Sequence, residues 1–453
     1  MRRLIAILSI ILSAPLMAQT RLISLSECLE ASAGNDLSLE NSRLDVLSSK
    51  AARTEALWGY LPNISIAAFG YDAVDPMLRI TTNEVLGNSD AANVLNEQIR
   101  AYAYENGMKP YYEAANYGYG AGISAVQPLY MGGVIDAGNK LAELAVEAAE
   151  VKDRIARRDA RDSVECRYWL IVSLQEKEKT LCDAARLLDS VAKDVSSAIA
   201  AGVATQSDLL SVQLRRKELE SGRIMLRNAS NLLKMDLFNT IGIEYEYAGL
   251  DDIRLSDALD RLPSPESVIS GAAAAGDLDE SRLLALNVRG AKLEKKLAMG
   301  KYKPQLALGA SYNYNDLMGQ NRPKFNGMAY ATVRVPLSSL GKAGIQARRM
   351  NYQIQKAENE KQSLDRKLDL KLDKTRMDLE TAWAQYGVAQ ESVAVAEDAL
   401  MHVTANFKAG LATSSELLQA EYLLRSEKEA LIGRMIDYRN AVSAFTSLRP
   451  QMP

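Results

Sequence analysis

The sequence predicts a mainly α-helical protein with a smaller β component, arranged as an internal two-fold structural repeat. Two pairs of landmark segments recur at one displacement, two stretches of about 68 residues lack proline, and segments of alternating polar and apolar residues precede those stretches. The 453 residues include only 12 prolines and 27 glycines, which favours long uninterrupted elements.

Prolines and glycines define the repeat. Gln127-Pro128-Leu129 recurs as Val335-Pro336-Leu337, displaced by 208 residues. The segment 201–205, Ala-Gly-Val-Ala-Thr, recurs at 409–413 as Ala-Gly-Leu-Ala-Thr with the same displacement. The element between the two landmarks therefore has the same length in both halves.

The two halves differ between their proline landmarks. A third pair, Pro62 and Pro304, is displaced by 242 residues, so the first half carries 34 additional residues. We place them between two strands, in an external loop or partial plug from Asp72 to Asn116. We also expect a helix of roughly 35 residues before each of these prolines, at about 24–58 and about 265–300, followed by a strand.

The N-terminus has the pattern of a secretory signal. Arg2 and Arg3 precede an apolar run, and small residues follow up to Ala18. We therefore expect residues 1–18 to be a cleaved signal peptide. No run of about 18 apolar residues follows, so we expect any membrane crossing to be made by strands.

Each half contains two segments with the alternation of a β-strand. The clearest runs from Gln305 to Asn315 and places leucine, alanine and tyrosine on one face and polar or small residues on the other. A strand of about 11 residues with this pattern is typical of a transmembrane β-barrel. The other three predicted strands are 64–71, 117–127 and 327–335. The last is ambiguous by face, and matching it to its counterpart turns Arg334 toward the barrel lumen.

Long helices follow the strands. Residues 133–200 and 341–408 contain no proline, and a helix of that length extends about 100 Å. Such a rod cannot bury itself, so it must pack laterally against other helices, as in coiled coils.

Each long helix is predicted to end in a hairpin tip. Gly202 and Gly410 stand where a left-handed residue terminates a helix. In both halves a threonine then starts the next helix, with an acidic residue three positions later, as in a capping box: Thr205 with Asp208, and Thr413 with Glu416. Capping is thus one explanation of Asp208 and Glu416, and a role in the pore or in docking is a second that does not exclude it.

Composition argues against several other classes of function. A net charge of −3 gives no sign of the clustered basic surface that nucleic-acid binders carry. Three cysteines, which we read as small buried residues, and one histidine do not make an ordinary metal site, and we predict no cofactor. P-loop, HExxH and GxSxG motifs are absent from the sequence, so an enzyme is disfavoured.

Together the landmarks resemble the outer-membrane efflux protein family, the TolC-like exit ducts of tripartite pumps and type I secretion systems. The segments that carry the resemblance are 127–133, 202–208 and 410–416, and the match covers nearly the whole mature chain. The resemblance implies a homotrimer in outer-membrane lipid. Its four strands per subunit close a transmembrane β-barrel, which a long periplasmic α-helical barrel continues. It also implies a periplasmic adaptor and an inner-membrane pump as partners.

The resemblance assigns roles to particular residues. The tips that dock the adaptor are Gly202, Val203, Thr205, Asp208, Gly410, Leu411 and Thr413. The pore constriction involves Phe407, Glu416 and Gln419. Phe407 and Ala412 occupy positions where some members have a tethering tyrosine and arginine, so a closed-state latch would be weaker here or would use other residues.

The resemblance also implies a set of strand–helix joints and a girdle of interfacial aromatic residues. The joints are Pro62, Pro128, Gly132, Gly133, Pro304 and Pro336. The aromatics are Trp58, Tyr60, Tyr130 and Tyr302, for which packing in the core of the junction is the alternative.

The resulting domain organisation has four parts. They are the signal peptide (1–18), a first repeat (19–241, with external loop 72–116 and tip 201–208), an inter-repeat linker in the equatorial region (242–264) and a second repeat (265–453, with tip 409–416). The expected function is a passive outer-membrane exit duct. A soluble periplasmic coiled-coil adaptor or scaffold is the alternative, although it would not need two pairs of alternating segments.

Overall fold

A computed structural model describes residues 21–200, 202, 204–270, 275–316 and 324–448. The predicted signal peptide lies outside the described residues. The chain divides into two compact units, which are taken separately below. The sheet unit comprises Ser49–Val146 and Asn287–Ala357, and the hairpin unit comprises the described parts of Met1–Ser48, Glu147–Leu286 and Glu358–Pro453.

The described residues are mainly helical. The elements of the first half are β1 (Arg21–Ile23), α1 (Leu25–Asn35), α2 (Leu37–Leu57), β2 (Asn63–Asp72), β3 (Leu78–Thr81), α3 (Thr82–Leu86), α4 (Asp90–Glu105), β4 (Tyr111–Ala114), β5 (Tyr117–Met131), α5 (Val134–Ala200) and α6 (Gln206–Thr240). Those of the second half are β6 (Ile253–Leu255), α7 (Pro265–Ile269), α8 (Asp279–Gly300), β7 (Gln305–Asp316), β8 (Lys324–Arg334), α9 (Leu340–Lys408) and α10 (Ser414–Thr446). No helix among them is long and apolar enough to cross a membrane.

The helix predicted at the start of each half is interrupted, which corrects the expectation of about 35 continuous residues. In the first half Asp36 is extended, and its side chain accepts a hydrogen bond of 2.8 Å from the backbone N–H of Ser38, so that it caps the start of α2. In the second half α7 ends at Ile269 and α8 begins at Asp279, with a 3₁₀ turn at Ala275–Asp277 between them. The sequence Gly-Asn-Asp at 34–36 is the signal that marks the first break.

The sheet unit is built on a four-stranded antiparallel sheet in the order β2-β5-β7-β8. A strand forms at each of the four predicted segments, and β5 is longer than expected because it continues through Pro128 to Met131. The strand register determines which residues of β8 lie on each face of the sheet. Arg334 pairs with Gln305, so the two side chains share the polar face.

The insertion between β2 and β5, expected as an external loop or partial plug, is folded. β3 and β4 pair antiparallel, α3 starts at a capping box of Thr81 and Glu84, and Ser89 caps α4. These elements enclose a groove of about 470 Å³ lined mainly by apolar side chains such as Ile80, Ile99 and Tyr102. The 34 additional residues therefore fold into a small α/β subdomain.

The hairpin unit has its main core where β1 and β6 pair in parallel. Tyr168, Phe238 and Ile241 are fully buried there. The Tyr168 hydroxyl donates to the carbonyl oxygen of Ile23 at 3.1 Å and lies 2.5 Å from Asp257 Oδ2. Residues of the segment 242–264 are thus fixed against both α5 and the first strand.

The cysteines only partly match their predicted burial. Cys28 is fully buried in this core, Cys182 is half-buried and Cys166 is exposed. Val164 and Tyr168 are buried four residues apart on one face of α5, and Cys166 lies off that face.

Candidate functional site

The four strands of the main sheet bring all strand–helix joints to one end of the sheet. Asn63 at the start of β2 pairs with Val126, and Gln305 at the start of β7 pairs with both Met131 and Arg334. The predicted joint residues lie within two residues of these positions: Pro62, Pro128, Gly132, Gly133, Pro304 and Pro336. We call this end of the sheet the joint end.

A bulge and two left-handed glycines shape the joint between β5 and α5. The register shifts between Pro128 and Tyr130, because proline has no N–H to give to the ladder. Gly132 and Gly133 have φ values of 69° and 84°. A Cβ on Gly132 would overlap the carbonyl oxygen of Gly300, so this glycine also permits close approach of the end of α8.

The four predicted interfacial aromatics lie at the joint end. Trp58 is 68% exposed, Tyr60 and Tyr130 are each 47% exposed, and Tyr302 is half-buried in the turn before β7. The Tyr60 carbonyl oxygen accepts a hydrogen bond of 2.9 Å from the Gln127 side chain. Three of the four are thus exposed in the isolated chain, and their assignment to an interfacial girdle stays a prediction.

One face of the sheet is apolar and uncovered in the isolated chain. The register places on it the residues Ile64, Ile66, Ala68, Tyr119, Ala121, Ile123, Ala125, Leu306, Leu308, Ala310, Tyr312, Tyr314, Phe325, Gly327, Ala329, Ala331 and Val333. Ile66 is 80% exposed, Val333 67% and Phe325 64%. A contiguous apolar surface of this kind marks contact with an apolar environment, because water disfavours it.

The opposite face is polar and contains a column of glycines. Gln305, Ser311, Asn313 and Asn315 are on β7, next to Gly118, Gly120 and Gly122 on β5. The rings of Tyr71 and Phe69 lie over Gly118 and Gly120, and the ring of Tyr330 lies over Gly309. Alternation therefore separates an apolar face from a mostly polar and glycine-rich face along most of the sheet, as in a barrel wall.

Both edges of the sheet are open within the described part of the chain. β2 pairs only with β5 and β8 only with β7, which leaves one unpaired side on each edge strand. Almost all residues of β2 and all residues of β8 are exposed. Unpaired N–H and C=O groups at such an edge are a template for pairing with another chain.

The predicted hairpin tips are confirmed in their backbone and capping geometry. Gly202 and Gly410 have φ values of 77° and 73°, with open space around both. The hydroxyl of Thr205 accepts from the N–H of Asp208 at 3.3 Å, and the hydroxyl of Thr413 accepts from the N–H of Glu416 at 3.2 Å. In return the carboxylates accept from the backbone N–H groups of the two threonines, at 2.8 Å and 2.7 Å. Val203 lies outside the described residues.

A hydrogen bond joins the two tips. The hydroxyl of Ser414, at the start of α10, donates to Oδ1 of Asp208, in the first turn of α6. The bonds from Ser414 and Thr205 hold the pKa of Asp208 at about 2, below its ordinary value. Asp208 therefore caps one helix with one oxygen and holds the other hairpin with its second oxygen.

The predicted constriction residues surround the same region. Phe407 is half-buried against the apolar cluster that contains Leu188 and Leu417. Glu416 and Gln419 are exposed, and bonds from Thr413 lower the pKa of Glu416. A cleft of about 710 Å³ lies between the tips, and Asp208, Phe407, Leu411 and Ser414 contribute to its lining.

A buried ionic cluster links the return helices of the two hairpins. Glu421 on α10 is only 3% exposed, and its carboxylate oxygens lie 3.7 Å from Nε of Arg215 on α6 and from Nε of Arg425. Both guanidinium groups also stack on the ring of Tyr422, at 4.6 Å and 5.1 Å. Burial raises the pKa of Glu421 although both arginines oppose the shift.

Sequence reasoning missed Ser414 and the Arg215–Glu421–Arg425 cluster. Ser414 follows a helix cap, where serine is common, so nothing in the pattern points to a partner 206 residues away. The spacing of Glu421 and Arg425 is that of an ordinary surface pair on a helix. Only the lateral packing of α6 on α10 brings Arg215 to them.

Comparisons with solved structures support the same architecture. No protein-family model and no curated protein matches the sequence. Among solved structures, the chain is similar to the outer membrane protein VceC of Vibrio cholerae, with 15% identity, a TM-score of 0.72 and coverage of 94% of this chain and 95% of VceC. It is also similar to the CmeC outer membrane channel of Campylobacter jejuni, with 12% identity, a TM-score of 0.69 and coverage of 95% and 87%.

A third similar structure is the open state of the MtrE outer membrane channel of Neisseria gonorrhoeae. The identity is 14%, the TM-score is 0.67, and the coverage is 94% of this chain and 91% of MtrE. The similarity thus extends over nearly the full length of each chain at low sequence identity. The chain therefore has the fold of bacterial outer-membrane channels, and its resemblance to the TolC-like outer-membrane efflux proteins is confirmed at the level of the fold.

Proposed function

We propose that the chain is one of three identical subunits of a passive outer-membrane exit duct. The observation that carries this proposal is the four-stranded sheet with one exposed apolar face and two open edges. In lipid each unpaired backbone group costs several kcal/mol, so such a sheet is stable there only when its edges are closed. Pairing β8 of one copy with β2 of the next closes them.

Three copies supply twelve strands, an even number within the range of outer-membrane barrels. The apolar face then contacts lipid and the polar face lines the lumen, with Arg334 inside, where a charge is least costly. The exposed aromatics at the joint end lie where the barrel wall meets the membrane surface. In this proposal the folded insertion faces the exterior and the hairpin tips are in the periplasm.

The tips are the proposed contact with partners. Gly202 and Gly410 present backbone in open space beside exposed Leu411, a surface suited to the hairpins of a periplasmic adaptor. Cargo and energy come from an inner-membrane pump, either in a tripartite efflux system or in type I secretion. The structures it resembles are described as channels, and we propose no catalytic step.

The Ser414–Asp208 bond is the proposed closed-state latch between the two hairpins of one subunit. Phe407 has no hydroxyl group and Ala412 no charge, so neither can tether the tips by a polar bond. Asp208 accepts three hydrogen bonds from side chains and backbone at this point. Opening the tips requires breaking the bond from Ser414 while the cap on α6 remains.

Extraction and mass test this function. The protein should leave membranes only with detergent, and native mass spectrometry should then find three chains per particle. The alternative is a soluble periplasmic adaptor or scaffold, which predicts release by osmotic shock without detergent. A water-soluble single chain would contradict the duct proposal.

A further inference from the structure

The charge of the sheet unit is unevenly distributed between the two ends of its sheet. The segments that run into β7 and out of β8 at the joint end, residues 287–303 and 334–357, contain 11 lysine and arginine residues and one acidic residue. The insertion at the opposite end, residues 72–116, contains seven acidic and three basic residues. The chain as a whole has a net charge of only −3, so the joint end is a local concentration of positive charge.

Six of these cations are not neutralised by neighbouring side chains. Among the described residues, no carboxylate lies within ion-pair distance of Lys296, Lys301, Lys303, Lys342, Arg348 or Arg349. All six are exposed. In contrast, the cations on the two joint-end segments of the first half have partners: Arg53 pairs with Glu143 at 3.4 Å, and Lys140 with Asp136 at 3.1 Å.

The six unpaired cations lie close to the end of the sheet. Lys301 and Lys303 are in the turn just before β7, and Lys342 is in the first turn of α9. With a rise of about 1.5 Å per residue, Lys296 is about 6 Å from the end of α8 and Arg349 about 14 Å from the start of α9. The Lys295 ammonium lies 2.6 Å from Oδ1 of Asn351, so a side-chain hydrogen bond joins α8 and α9 here.

The same end carries the apolar groups expected at a lipid surface. Trp58, Tyr60 and Tyr130 expose their rings, and Ile345, on α9 between Lys342 and Arg349, is 73% exposed. Residues 342, 345 and 349 follow helical spacing and share one face of α9. Cations that alternate with exposed apolar side chains are typical of segments that contact anionic lipid headgroups.

We propose that these six cations form a binding surface for the phosphate groups of anionic phospholipids, in the membrane leaflet next to the joint end. The inference rests on the proposed function, because it requires the sheet to lie in a membrane. Lysine and arginine stabilise such contacts electrostatically, and each contributes about a fivefold preference for anionic over neutral lipid. The surface also distinguishes the two ends of the barrel: the basic end contacts phospholipid phosphate, and the acidic insertion lies at the other end.

Lipid preference of the reconstituted oligomer tests the proposal. The protein is placed in nanodiscs that mix phosphatidylglycerol with phosphatidylcholine, and the annular lipid is quantified by native mass spectrometry. We expect phosphatidylglycerol to be enriched at low salt and the enrichment to fall as salt rises. Substituting Lys301, Lys303 and Lys342 together with glutamine should reduce it by about tenfold or more. The matched control Lys140→Gln, at the same end but paired with Asp136, should retain it.

Two outcomes overturn the proposal, and both are separable from failure of the duct. Equal enrichment in the triple variant and the wild type, or an equal loss in Lys140→Gln, would exclude these cations as the lipid site. Oligomer mass and ion conductance in pure phosphatidylcholine are measured on the same samples. A protein that forms trimers and conducts but shows no lipid preference contradicts this inference alone, and one that does neither contradicts the duct as well.

Discussion

Two adjacent alanines of β2 test the assignment of the sheet faces. Ala68 pairs with Ala121 on the apolar face, and Ala67 pairs with Gly122 on the polar face, and both are exposed. In the proposed barrel, arginine at Ala68 would point into lipid, and arginine at Ala67 into the lumen. The two variants have the same composition and the same strand, so a difference between them reports the face alone.

The position of Ala68 along β2 determines the free-energy cost of placing arginine there. Ala68 is five residues from Asn63, the joint end of the strand. Five residues rise about 17 Å, and a strand tilted by about 40° descends about 13 Å, which is the middle of an apolar band about 25 Å tall. Arginine at that depth costs about 2–4 kcal/mol per subunit, or roughly 6–12 kcal/mol for three subunits.

The assay is reversible guanidinium unfolding of the protein in lipid vesicles, with intrinsic fluorescence as the signal. We expect Ala68→Arg to lower the unfolding free energy strongly or to prevent assembly, and Ala67→Arg to leave it near the wild-type value. Ala67→Arg should change ion conductance instead. Equal losses in the two variants, or a larger loss for Ala67→Arg, would refute the face assignment.

The remaining predictions concern the tips. Hydrogen bonds lower the pKa of Asp208 to about 2, so they stabilise the folded tip fully above the ordinary pKa near 4, and this stabilisation is lost as pH falls through 2. Hydrogen exchange of α6 should therefore quicken at acid pH in the wild type, and Asp208→Asn should remove that pH dependence. An unchanged pH profile in the variant would contradict the prediction. Ser414→Ala should leave both caps intact and raise the open probability of single channels, and unaltered gating would leave Ser414 without a latch role. Replacing Gly202 and Gly410 with bulky residues should abolish export while trimers still form, because both sites are open; full export would remove the docking role. Glu416→Lys should shift the pore from cation toward anion preference more than it affects assembly, and an unchanged preference would leave capping as its function.

The repeated landmarks made most of the architecture predictable. Pro62, Pro128, Pro304 and Pro336 mark the joint end of all four strands, because proline disfavours helix and is tolerated in a strand only at an end, an edge or a bulge, as at Pro128. The long helices begin and end within a residue of the predicted bounds, since no proline or glycine pair breaks them. The glycine tips followed from their need for positive φ, which φ values of 77° and 73° bear out.

What escaped prediction depends on contacts that a linear pattern does not contain. Asp36 breaks the first helix through a side-chain bond to Ser38, a local choice that the helical periodicity of the flanking residues obscured. The insertion is expected as a loop because its additional residues have no counterpart in the second half, yet its apolar side chains line a common groove in a small fold. The Ser414–Asp208 bond and the pairing of Arg334 with Gln305 are set by lateral packing and strand register.

Ion conductance tests the central claim most directly. The purified, detergent-solubilised protein is added to a planar lipid bilayer, and current is recorded under an applied voltage. A barrel closed from three four-stranded sheets with polar inner faces predicts discrete, uniform conductance steps that disappear in the Ala68→Arg variant. A folded trimer that inserts without conducting would contradict the account.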